Sequence, residues 1–113
     1  MMKEYNDKTK SEWLLNEDHV KIVCQKLIGY KFPETSVYTI EKIQKDQLRY
    51  SISKDMNDVI VRTDIYIVSN YRRIELATFA YDKIIIDVNI IAINDLYEII
   101  MSEIREHKLN QIL

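Results

Sequence analysis

The chain has 113 residues and a mass of 13.6 kDa, the size of one domain spanning 1–113. It is 47% hydrophobic and 30% charged, which excludes a disordered tail, and its single cysteine excludes a disulfide-stapled scaffold. A formal charge of −2 divides as ten basic to nine acidic residues over 1–57 and six to nine over 58–113, so neither half concentrates the positive charge that a phosphate backbone requires.

Residues 1–7 carry no apolar run, so no signal peptide is expected. Thr9 and Glu12 stand at capping-box spacing ahead of Trp13 and Leu14, which predicts a short helical turn. The first full helix is expected over 16–29. Asn16 is a good N-cap, Glu17 and Asp18 complement the positive helix end, and Leu15 and Val20 occupy the two positions of a hydrophobic staple. Val20, Val23, Cys24, Leu27 and Ile28 then make one apolar stripe, ended by Gly29 and the Phe32-Pro33 exit.

From Thr35 the period changes to two. A strand is expected over 37–43, with Tyr38 and Ile40 on one face, then a turn at 45–47. In the strand 48–53, Leu48, Tyr50 and Ile52 alternate with Arg49, Ser51 and Ser53. After a turn at 55–58, the stretch 59–68 should bury Val59, Val61, Thr63, Ile65 and Ile67 and turn Arg62, Asp64 and Tyr66 outward. A turn at 69–72 leads to a strand over 73–80, with Ile74 and Leu76 inward and Phe79 outward. A turn at 81–83 precedes a last strand at 84–88, and residues 90–93 fit either that strand or an early helix start. The closing helix begins at Asn94, with Leu96, Ile99, Ile100, Ile104 and His107 as its stripe. Connections this short make successive strands antiparallel neighbours. The expected fold is α+β: an antiparallel meander sheet of four to five strands flanked by an N-terminal and a C-terminal helix, in the order α-β-β-β-β-β-α with the helices on one face.

Catalytic signatures are sparse. His19 and His107 have no His or Cys at ligand spacing, and Cys24 sits on an apolar helix face, so no metal site and no nucleophile are expected. One glycine in the whole chain leaves no phosphate-cradling loop and no nucleophile elbow, and no cofactor is implied. Asp64 and Glu75 could share a sheet face as the acids of a small metal-dependent nuclease. Arg62 and Arg73 would pair with them in the plainer reading, and no Lys stands two residues after Glu75. The order of helix, antiparallel strands and helix resembles the double-stranded RNA-binding domain. The last helix, however, opens Asn94-Asp95-Leu96-Tyr97-Glu98 where such a domain presents lysines to phosphates, so direct nucleic-acid binding is not expected.

The outer sheet face and its adjoining turn carry Arg62, Tyr66, Tyr71, Arg72, Arg73 and Phe79, residue types enriched at protein-interface hot spots. The sheet edges offer a second route, self-association by strand addition. No stretch reaches the ~18 apolar residues of a membrane helix, and the expected compartment is the cytoplasm. An Ile-, Lys-, Asn- and Tyr-rich chain suggests an AT-rich genome, of a low-GC bacterium or its phages. Together these features lead to the expectation of a non-catalytic protein-binding module, an inhibitor encoded by a phage or mobile element that blocks a host enzyme. An immunity protein or antitoxin is the alternative.

Overall fold

The computed structural model describes residues 2–34, 38 and 40–112. Strand β1 (Met2–Tyr5) precedes helices α1 (Lys8–Trp13) and α2 (Glu17–Leu27). Strands β2 (Leu48–Lys54), β3 (Ile60–Ser69), β4 (Arg72–Ala80) and β5 (Ile84–Asp87) follow, and helix α3 (Ile93–Ile112) closes the chain. The strands form one antiparallel sheet in the order β1-β5-β4-β3-β2. The α+β class, the β2-to-β5 meander and the flanking helices agree with the sequence reading.

The fifth strand comes from a different place. Residues 35–37 and 39, on which the expected 37–43 strand partly falls, lie outside the described residues. Nearby, Gly29 N–H donates to the Ile43 carbonyl and Ile43 N–H to the Tyr30 carbonyl, while Lys31 and Lys42 form an isolated bridge. These segments satisfy each other's backbone instead of joining the sheet. The sheet edge is taken by β1, which pairs Met2 with Asp87 through to Tyr5 with Ile84.

Local chemistry explains the helices. The Asn16 side chain accepts from the N–H groups of Asp18 (2.9 Å) and His19 (3.4 Å), relieving two otherwise orphaned donors at the start of α2. Val20, Val23 and Leu27 are fully buried beneath it, and Gly29, at φ 87, turns the chain where a Cβ would be strained. The cap of α1 is Asp7 rather than Thr9: its Oδ1 accepts from Lys10 N–H at 3.2 Å.

Two β-bulges decide which residues reach the core. Ser53 opposes Arg62 while Lys54 opposes Ile60, so Val61 is an extra residue on β3. Ile65 opposes Ala77 while Tyr66 opposes Glu75, so Leu76 is an extra residue on β4. Each extra residue reverses the inside–outside alternation beyond it. Val59 and Val61, expected inside, are therefore 56% and 44% exposed, and Phe79, expected outside, is fully buried. The core packs Ile65, Ile67, Leu76, Phe79, Ile84 and Ile86 of the sheet with Val23, Leu27, Leu96 and Ile100 of the helices. Ile90 and Ile91 fill it from the turn before α3. No helix among the described residues is long and apolar enough to cross a membrane.

Candidate functional site

Because both large helices lie on one side, the other face of the sheet carries the alternate set of residues, of which Asp64 and Thr78 are buried by their neighbours and Tyr66 and Glu75 half-buried. At its centre are Asp64 and Tyr66 of β3, paired with Thr78 and Glu75 of β4. Arg62 clamps Asp64 with Nε 3.1 Å from both carboxylate oxygens and a third bond from its terminal nitrogen at 3.0 Å. Thr78 Oγ1 donates to the same carboxylate at 2.6 Å. Burial alone would raise the Asp64 pKa; the Arg62 and Thr78 hydrogen bonds and the charges of Arg62 and Arg73 outweigh it and hold this carboxyl below its usual value. Arg73 Nε bonds Glu75, and the Arg73 guanidinium lies 3.7 Å from the Tyr66 ring centre. Arg49 of β2 stands opposite Tyr66 and donates to the Leu48 carbonyl at 2.9 Å.

This face is a pre-ordered mosaic of planar groups. Each acid fixes one guanidinium, so Arg62 and Arg73 present themselves in one geometry at reduced entropic cost. The paired charges also cancel locally, which gives a surface suited to a protein's mixed polar groups rather than to a polyanion.

The β3–β4 hairpin supplies the most exposed aromatic. Ser69 pairs with Arg72, leaving Asn70 and Tyr71 as a two-residue loop with φ 51 and 61. Positive φ at both positions is the type I′ turn, whose twist matches the strands and whose second position favours Gly. Here that position holds Tyr71, fully exposed and away from the core.

The six sequence-predicted residues therefore separate. Arg62, Tyr66 and Arg73 share the outer face, with Tyr71 at the adjoining tip. Arg72 is exposed but alternates to the opposite side of β4 from Arg73. Phe79 belongs to the core and leaves the set, because the bulge at Leu76 turns it inward. Thr78 and Arg49 join it; their cross-strand places depend on register, which the sequence does not carry.

Elsewhere, among the described residues, the buried Trp13 Nε1, Gln47 Oε1 and Thr63 Oγ1 have no hydrogen-bond partner, while the remaining candidate groups contact the chain itself. Trp13 and His19 stack at 4.0 Å, and His107, from the far end of α3, meets His19 edge to face at 5.4 Å. Since a carbonyl only accepts, the 2.8 Å contact to Trp13 O places the His19 proton on Nδ1. Burial pushes the Cys24 thiol up to about 12, the opposite of an activated nucleophile. A groove of about 420 Å³ beside α3 is spanned by the Lys26–Glu103 ion pair and by Tyr30 Oη donating to Asp95. Among the described residues no three His, Cys, Asp or Glu side chains converge as a metal site would need. No protein-family model, curated protein or solved structure matches the chain.

Proposed function

We propose that this protein is a non-catalytic binding module that engages another protein through the outer sheet face and the β3–β4 hairpin tip. We further propose that it acts in the cytoplasm as an inhibitor, encoded by a phage or mobile element, that blocks a host enzyme. One observation carries the reading: Tyr71 is held fully exposed at φ 61, in a turn where Gly would be the lower-energy choice. A large aromatic in a strained, solvent-facing position does nothing for the core, and strain of this kind clusters where a surface is used. Tyr66, Arg62 and Arg73 continue the same surface with rigid contact area and ordered donors.

The test is capture of the target from a host lysate, followed by titration of the purified pair. An inhibitor forms a stoichiometric complex and abolishes the partner's activity at equivalence. Tyr71→Gly and Tyr66→Ala, and separately Arg72→Glu with Arg73→Glu, should each weaken binding about thirtyfold or more while leaving the circular dichroism unchanged. Parent-like affinity in all of them would place the contact surface elsewhere. Capture without any loss of the partner's activity would leave a binding module and discard the inhibitor.

A further inference from the structure

Resting on the reading of the outer sheet face as the target-binding surface, we infer that the target docks there with a carboxylate of its own, an Asp or Glu side chain, and that Arg49 receives it beside Tyr66. Three arginines stand on this face, and two are already paired. The Asp64 carboxylate accepts from Arg62 and Thr78, and its side chain is only 8% exposed, against 56% for Arg62. Arg73 bonds Glu75 through Nε, which leaves its terminal nitrogens for other partners. The second Glu75 oxygen is buried, so it offers nothing to a protein approaching from solvent. Such a protein meets N–H donors. Arg49 is the third arginine. It opposes Tyr66 across the β2–β3 ladder, so both side chains rise on the same face. It is exposed, and one terminal nitrogen is tied to the Leu48 carbonyl at 2.9 Å. Among the described residues no carboxylate pairs with it, and most of its N–H donors are unused. The Leu48 tether narrows the positions open to the planar fork, which lowers the entropy lost when a carboxylate binds. Tyr66, half-buried and held by Arg73, supplies an apolar wall beside it.

Charge decides the chemistry of the partner. Asp64 and Glu75 compensate Arg62 and Arg73, so Arg49 leaves a single positive charge over on this part of the face. One carboxylate matches it, and the guanidinium fork can bind both of its oxygens through parallel N–H···O bonds. A nucleic-acid backbone needs several uncompensated cations in a row, and here Arg62 and Arg73 would first have to give up their acids. The neutral amide of a partner's Asn or Gln offers one oxygen and no charge, so it makes the weaker bond.

A pair of capped tripeptides, acetyl-Phe-Glu-Phe-amide and acetyl-Phe-Gln-Phe-amide, tests this without the target. Each is titrated into the isotope-labelled full-length protein, and the arginine Nε–H signals are followed by NMR. The Glu peptide should move the Arg49 signal saturably and bind about fivefold more tightly than the Gln peptide, or better. Added salt should erode that preference. Arg49→Gln should abolish it, and Arg49→Lys, which keeps the charge without the fork, should retain only part of it. Equal affinity for the two peptides, no movement of the Arg49 signal with either, or a preference that survives Arg49→Gln would overturn the inference. So would a short RNA duplex that moves the Arg49 signal at lower concentration than the Glu peptide does. With the captured target, Arg49→Gln should weaken binding about tenfold or more. If Tyr66→Ala weakens target binding and Arg49→Gln does not, the face stands and the carboxylate falls. If neither variant weakens it, the face is the wrong surface and the carboxylate falls with it.

Discussion

The guanidinium of Arg73 rests 3.7 Å from the centre of the Tyr66 ring, across the β3–β4 ladder on the solvent side of the sheet. The same guanidinium is bonded to Glu75, so one side chain ties together an aromatic and an acid. Because Arg73 is 46% exposed, solvent screens part of the attraction. A double-mutant cycle on Arg73→Ala and Tyr66→Ala should give a small favourable coupling in urea unfolding. Additive losses would mean that the ring and the guanidinium are neighbours without energetic contact.

The hairpin tip makes a prediction of opposite sign. Tyr71 gives nothing to the core and sits at φ 61, so Tyr71→Gly should stabilise the fold by about 0.5–1 kcal/mol. Tyr71→Ala keeps the backbone strain and should not. A rise in the urea midpoint for the glycine variant, beside its loss of target binding, would separate function from stability at one residue. A drop in the midpoint would show that the ring supports the hairpin.

The bulges set a contrast along one strand. Ile65→Ala should cost about 2–5 kcal/mol, the range for a fully buried aliphatic truncation. Val61→Ala, four residues earlier and 44% exposed, should cost less than about 0.5 kcal/mol. Similar losses at both positions would contradict the extra residue at Val61.

That pair also marks how far the sequence can be read. Period-two alternation reveals a strand, and it placed Ile65 and Ile67 inside correctly, but a bulge changes the phase without leaving a residue type that announces it. Val61 and Phe79 fell on the wrong sides for that reason. Helix α2 was legible from end to end because Asn16, its stripe and Gly29 each act locally. Strand β1 was not, since Met2–Tyr5 is a short polar edge whose pairing with β5 is entirely long-range. Of the candidate surface, Arg62, Tyr66, Tyr71 and Arg73 could be named from alternation and turn position. The pairing of Asp64 and Glu75 with Arg62 and Arg73 was legible too, although each pair forms along one strand rather than across two, whereas Thr78 as a further partner of Asp64 needed the register. The approach of His107 to His19 depends on how α3 packs, which no local pattern encodes.

Asp64 should make stability depend on pH in a defined direction. Burial opposes its charge, yet the hydrogen bonds and charges around it hold its folded pKa below the ordinary 3.8. A depressed carboxyl contributes stability that is present above the unfolded value and lost as pH falls through the folded one. Asp64→Asn should therefore cost about 1 kcal/mol at neutral pH, a figure kept small because Arg62 is 56% exposed. The difference from the parent should shrink as pH falls below the ordinary 3.8 and on through the lower folded value. A gap that stayed constant from pH 7 to acid would assign the cost to the Thr78 hydrogen bond or to packing instead of to charge.

Cys24 provides the check on catalytic chemistry. Burial raises its thiol from 9.0 to about 12, so at pH 8 the folded protein holds far less thiolate than the unfolded chain. Labelling by a thiol reagent should be slower in the native state by roughly a hundredfold or more, and should become fast in denaturant. The linkage has the matching sign: a raised thiol pKa favours the folded state below pH 9, and that contribution drains away as pH climbs toward 12. Added chelator should leave the melting temperature unchanged, as befits a fold held by its Ile- and Leu-rich core. Native labelling within a few fold of the denatured rate would make Cys24 an accessible, activated thiol. A fall in melting temperature on chelation would point to a bound metal. Either result would revive the catalytic or metal readings against the binding module.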